Sequence, residues 1–115
     1  IFPTEAALAS DLCISHKFGA TAAVESAISG VKTVLLDSYG TKTLFDSIYC
    51  QADIEYASVE LIMAAVTKYR EGDLSSQQLG DWSNIIHYFD PYMDGKADAR
   101  LRNEVAESIK AFVEY

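Results

Sequence analysis

The chain has 115 residues, half of them apolar, and a net charge of −8. That length fits one domain with a real core, and no run approaches the roughly 18–20 apolar residues that a membrane span requires. The acidity, with no basic stripe, argues against a nucleic-acid partner, and Ile1-Phe2-Pro3 lacks the basic and apolar regions of a signal peptide.

In chain order, Thr4 reads as the cap of a short helix over 5–10, with Glu5 favourable in its first turn. Residues 12–15 read as a buried strand in which Cys13 serves as a small hydrophobe. Residues 16–20 form a loop, and 21–29 an Ala-rich helix able to pack closely on a sheet. Gly30 supplies the left-handed position that ends it. Residues 33–36 are β-branched or apolar throughout, as expected of a strand covered on both faces.

A polar loop with Gly40 follows over 37–42, then a helical stretch over 43–49 and a weak third strand over 54–56. Ser58 caps an amphipathic helix whose stripe is Val59, Ile62, Met63, Val66 and Tyr69, and Gly72 stops it. A polar connector (73–80) leads to one or two helical turns around Trp82, over 81–88. A turn-rich loop (89–95) precedes a last helix from about Ala97, with Leu101, Val105, Ile109 and Phe112 on one stripe. The fold expected is α/β: a Rossmann-like partial domain of about three parallel strands with helices on both faces. An exposed sheet edge would favour self-association along it.

Strand, glycine loop, helix and strand in that order make a βαβ unit, with a helix start at the carboxyl edge of the sheet. Such a start suits a phosphate. Gly19 lets backbone approach a diphosphate, Ala20 and Thr21 offer amides and a hydroxyl, and Glu25 lies within reach of ribose hydroxyls. The plainer alternative is an ordinary strand-to-helix turn with a surface glutamate. His16 at a strand end could donate to a phosphate or be a hydrogen-bonded loop histidine. Lys17 and Lys42 could neutralise phosphate or be solvated lysines. Tyr39, Tyr49, Tyr56 and Tyr69 read as packing rather than as a platform for bases.

Other groups read as structure. Cys13 and Cys50 are too few for a metal framework or a disulfide scaffold, which fits a reducing compartment. His87 has no partner at a meaningful spacing. Asp90, Asp94 and Asp98 invite a calcium loop, but Tyr92 and Leu101 stand where ligands are required. Asp90-Pro91 and Asp94-Gly95 read instead as turn chemistry.

The run G-A-T-A-A-V-E, then S-A-I-S-G-V-K-T-V-L-L-D, resembles the donor-binding core of two-domain GT-B nucleotide-sugar glycosyltransferases. It is similar to the S-G-x-x-x-x-x-E-A-x-x-x-G-x-P motif of the peptidoglycan-precursor N-acetylglucosamine transferase and of lipid A disaccharide synthase. Lys32 replaces the motif's proline, and Phe18-Gly19 its Ser-Gly. The stretches 80–83 and 89–96 resemble the C-terminal end of bacterial surface-polysaccharide biosynthesis proteins.

The resemblance implies diphosphate binding by Gly19, Ala20 and Thr21 and ribose binding by Glu25; His16 and Lys17 join the diphosphate set by their positions at the strand end and beside the glycine loop. It implies donor-sugar contacts from Asp37, Ser38, Tyr39, Gly40 and Thr41. It also implies a nucleoside-diphosphate sugar as ligand and a carbohydrate or lipid-linked acceptor bound through an N-terminal domain that this chain lacks. The chain, without an initiator Met, would then be a truncated or excised donor-binding domain over 1–115, inactive alone. No cofactor or metal is demanded, because helix-end amides can carry the diphosphate charge. The location implied is cytoplasmic, or peripheral to the inner face of the membrane. Two rivals stand: a non-hydrolysing nucleotide-sugar epimerase of the same fold, and a non-catalytic α/β interaction module.

Overall fold

The computed structural model describes residues 3–114. In order it forms α1 (Pro3–Leu8), β1 (Cys13–His16), α2 (Thr21–Ile28), β2 (Thr33–Leu36), α3 (Asp46–Tyr49), β3 (Glu55–Tyr56), α4 (Val59–Arg70) and α5 (Ala97–Glu114). Short 3-10 turns at Leu74–Ser76 and Ile86–Tyr88 lie between α4 and α5. The reading of Ile1 and Phe2 lies outside the described residues.

The three strands form one open sheet in the order β1-β2-β3, every pair parallel. Ile14 stands opposite Val34 and His16 opposite Leu36, while Leu35 and Leu36 face Glu55 and Tyr56. Central β2 is covered on both faces, which its unbroken apolar run allows. Leu35 packs with Ala23 and Ala27 of α2, Tyr49 of α3, Trp82 and Ile85. Val34 packs on the other side with Ile62 of α4 and Leu79. The alanines at 23 and 27 let α2 lie close to the sheet.

Two helices end as their glycines require. Gly30 has φ 85°, its N–H bonds to the Ala27 carbonyl and the Val31 N–H to the Ser26 carbonyl. Gly72 repeats the pattern on α4, where Asp73 donates to Lys68. Both are the paired closure of a left-handed C′ glycine. At the other end of α4 the Ser58 hydroxyl accepts from Leu61 N at 3.2 Å.

The amino end of the sheet is closed by the connector. Thr33 N donates to the Gly80 carbonyl at 2.9 Å, and Gly80 N to the Asp53 carbonyl. Trp82 Nε1 donates to the Thr33 carbonyl at 2.8 Å. These bonds satisfy the buried start of β2.

Several sequence expectations need correction. Thr4 lies within α1 rather than capping it, and α1 ends at Leu8; the Ser10 hydroxyl donates back to the Ala6 carbonyl. β1 is an edge strand and only partly covered. Its Ile14 is half exposed and Cys13 partly buried. The helix expected over 43–49 begins only at Asp46. The Thr43 hydroxyl accepts from Phe45 N and donates to Asp46 Oδ1, a local turn that competes with helix. The 81–88 stretch holds one 3-10 turn. The Asp90 and Asp94 carboxylates accept from Met93 N and Lys96 N, as turn residues. His87 is exposed, its ring 4.1 Å from that of Tyr88. No residue of α5 is buried, so its apolar stripe faces solvent.

Candidate functional site

In a parallel sheet all strand ends of one kind fall on one edge, so residues just past β1 and β2 become neighbours. Lys17 N bonds to the Leu36 carbonyl at 3.0 Å, and Asp37 N to the Tyr56 carbonyl at 2.8 Å. This carries the pairing one residue beyond the strands. By alternation, His16 and Leu36 share the face of α4, whereas Lys17, Asp37 and Glu55 share the face of α2 and α3.

Lys17 is the centre of a four-charge cluster. Its side chain is 5% exposed, and Nζ lies 2.8 Å from Asp46 Oδ1, 2.8 Å from Glu55 Oε2 and 3.7 Å from Asp37 Oδ2. Asp46 opens α3, where a carboxylate also suits the helix dipole. Burial works against the Lys17 charge, but the hydrogen bonds and charges of Asp46 and Glu55 outweigh it and hold the ammonium pKa above its ordinary value. The Lys17 hydrogen bond, then that of Thr43, lowers the Asp46 carboxyl to about 2. Asp37 is also lowered, first by the Thr41 backbone N–H. With one ammonium and three carboxylates, the cluster carries a net charge of −2.

At this edge lies a groove of about 420 Å³. His16, Asp37, Ser38, Tyr39 and Thr41 line it, joined by Phe18 and Leu36. Gly40, at φ 65°, turns the loop so that Thr41 N donates to Asp37 Oδ1 at 2.8 Å. Phe18 is 82% exposed and Tyr39 95% exposed.

The remaining candidates stand apart from that groove. Gly19 has φ 71° and open space where a side chain would point. Ala20 is the N-cap of α2 and makes no side-chain cap bond, so the first amides of the helix have no side-chain partner from that residue. Thr21 and Glu25 are exposed on α2, and Lys42 is exposed beside Thr41. The structure thus joins His16 to the 37–41 loop. It keeps Gly19, Ala20, Thr21 and Glu25 at the α2 start and gives Lys17 to the carboxylates.

Asp46 and Glu55 were not foreseen as members of the site. The one local signal was an acidic residue opening each short element after β2. Their meeting with Lys17 depends on strand order. Among the described residues, no group of three or more His, Cys, Asp or Glu side chains could hold a metal ion. None of the described helices is long and apolar enough to cross a membrane.

Compared with family models, curated proteins and solved structures, the chain matches none.

Proposed function

We propose that the carboxyl edge of this sheet binds a nucleoside-diphosphate sugar, as the donor-binding portion of a GT-B glycosyltransferase. The larger protein would move a sugar from that donor to a surface-carbohydrate acceptor. One observation carries the reading: the Gly19-to-Glu25 run, which resembles the donor motif, opens an eight-residue helix at the carboxyl edge of a parallel sheet. A left-handed glycine followed by a helix start without a side-chain cap suits a diphosphate, since its amides and dipole favour negative charge. Glu25, exposed on the same helix, accepts from ribose hydroxyls in this reading. Lys17 acts as a brace for the two loops, because its charge is already met by carboxylates. Orientation of the donor and stabilisation of the departing diphosphate are the chemistry such an edge supplies.

Calorimetric titration with UDP, GDP, CDP and dTDP tests the reading. One diphosphate is expected to bind, and Glu25→Ala to weaken it by about 1–3 kcal/mol, the cost of unmet polar contacts. No binding to a folded sample would remove the proposal. Product analysis of the larger protein with and without an acceptor separates transfer from epimerisation.

A second reading has its own observation. α5 runs for 18 residues with none buried, and Leu101, Val105, Ile109 and Phe112 line one exposed stripe. That is the form of an interaction module, and it predicts no nucleotide affinity.

A further inference from the structure

Two apolar surfaces of this chain are bare, and each lacks what the other provides. The first is one face of β1. Ile14 pairs with Val34, so it points to the side on which α4 packs, and Leu12 joins the cluster of Val34, Ile62 and Leu79 there. A groove of about 800 Å³ lies between Val66, Tyr69 and Arg70 of α4 and Ser10 and Asp11 ahead of β1, with 30–32 also lining it. Val59, Met63, Val66 and Arg70 follow one stripe along α4. Ile14, Val59 and Met63 are each about half exposed. A parallel sheet is normally clad on both faces, so β1 lacks a helix here.

The second surface is α5. None of its residues is buried, and Leu101, Val105, Ile109 and Phe112 are each about half exposed or more. A helix draws most of its stability from packing such a stripe. From Leu101 to Phe112 the stripe runs about 17 Å at 1.5 Å per residue, and residues 12–16 run about 13 Å at 3.3 Å per residue. The helix is therefore long enough to cover the strand from end to end.

The turn ahead of α5 opposes closure onto its own sheet. Arg100 Nη1 donates to both oxygens of Asp94, at 3.1 and 2.9 Å, and its Cζ lies 3.9 Å from the centre of the Tyr92 ring. Met93 lines a cavity with Ala27 and Ile28 of α2, on the face opposite to α4. The helix thus leaves from the wrong side of its own sheet, and the molecule measures 62 Å along its long axis against 29 and 27 Å across. Charge agrees with docking on the bare face of β1. Glu104 borders the stripe and Arg70 borders the bare face, and neither has an ion-pair partner among the described residues.

We infer that α5 of one copy docks on the bare face of β1 in a second copy, each giving a helix and receiving one, with Glu104 set against Arg70 across the contact. Reciprocal exchange closes the pair by two-fold symmetry. The inference is independent of the donor reading. Two single-helix contacts make a small interface, so the pair forms in concentrated samples and the chain is monomeric in dilute ones.

Sedimentation equilibrium over a concentration series tests this, with circular dichroism checking that each variant is folded. The unaltered chain is expected to pass from monomer to dimer as concentration rises. Ile14→Ser and Ile109→Ser are each expected to weaken the dimer at least tenfold, since they strip the two sides of one contact. Glu104→Arg and Arg70→Glu are each expected to weaken it severalfold, and the double variant to recover most of that loss. Where Ile14→Ser fails to fold, this charge exchange decides. A monomer at every concentration overturns the inference, as does a double variant that recovers nothing. A dimer lost with Ile109→Ser but kept with Ile14→Ser is α5 paired with α5, and one kept with Ile109→Ser is pairing along the strand edge; either overturns it.

Discussion

Lys17, one residue past β1, reaches Glu55 at the start of β3 across 2.8 Å, so the two edge strands are tied together over the end of β2. The backbone alone gives β3 only two paired positions. The ion pair therefore does what a longer ladder would do, and its partners Asp37 and Asp46 tie in the two ends of the loop between β2 and α3.

Removing the ammonium should cost more than removing any one carboxylate. Lys17→Met leaves three like charges facing one another. We expect a loss of about 2–3 kcal/mol, the low side of a broken buried pair because Asp46 and Glu55 keep 34% and 28% exposure. Urea denaturation measures it. Adding Asp46→Asn to Lys17→Met should recover part of the loss, and additivity of the two would contradict a shared cluster.

The cluster also sets a pH window. Asp46 falls from an ordinary 3.8 to about 2 in the folded chain, so its contribution is present above 3.8 and lost as pH drops towards 2. The Lys17 pKa is raised, so its contribution is complete below 10.5 and disappears only as pH rises beyond that. Stability from this site should be flat between about pH 4 and 10. Asp46→Asn should flatten the acid limb of a stability–pH curve. An unchanged limb would show that Lys17 does not hold Asp46 in solution.

Gly80 and Gly19 share a left-handed backbone but not their surroundings. A Cβ on Gly80 would meet Thr33 N at 2.9 Å, whereas one on Gly19 meets nothing within 4 Å. Gly80→Ala should destabilise by about 2–3 kcal/mol, combining strain and a backbone clash. Gly19→Ala should cost about 1 kcal/mol. Equal melting temperatures for the two variants would refute the close contact between the connector and β2.

The stripe of α5 should be silent in folding. Ile109→Ser and Phe112→Ser are expected to change stability by no more than about 0.5 kcal/mol, because neither side chain is buried in the chain. A large loss, or one that depends on protein concentration, would mean that the stripe is covered in solution.

Much of this fold was readable because its signals are local. Gly30 and Gly72 end helices through their own backbone, Ser58 caps through its own hydroxyl, and the β-branched and apolar run 33–36 has the composition of a doubly covered strand. The Thr43 turn was hidden because a hydroxyl two residues from an amide competes with helix without altering periodicity. α5 reads as amphipathic whether or not anything covers it, so its exposure was not legible. At the site, the loops after β1 and β2 were legible from the βαβ order. Lys17 was not: a lysine beside a glycine loop looks the same whether it faces phosphate or carboxylates. Only the pairing of β2 with β3 brings Glu55 to it.

The central claim is that nucleoside diphosphate binds at the carboxyl edge, and amide chemical-shift mapping during titration with the best-binding diphosphate tests it most directly. The account predicts shifts concentrated at Gly19, Ala20, Thr21 and Glu25, extending to His16 and the 37–41 loop when the sugar is present. Shifts centred on α5 or on the Gly80–Trp82 connector, or none at saturating ligand, would contradict it.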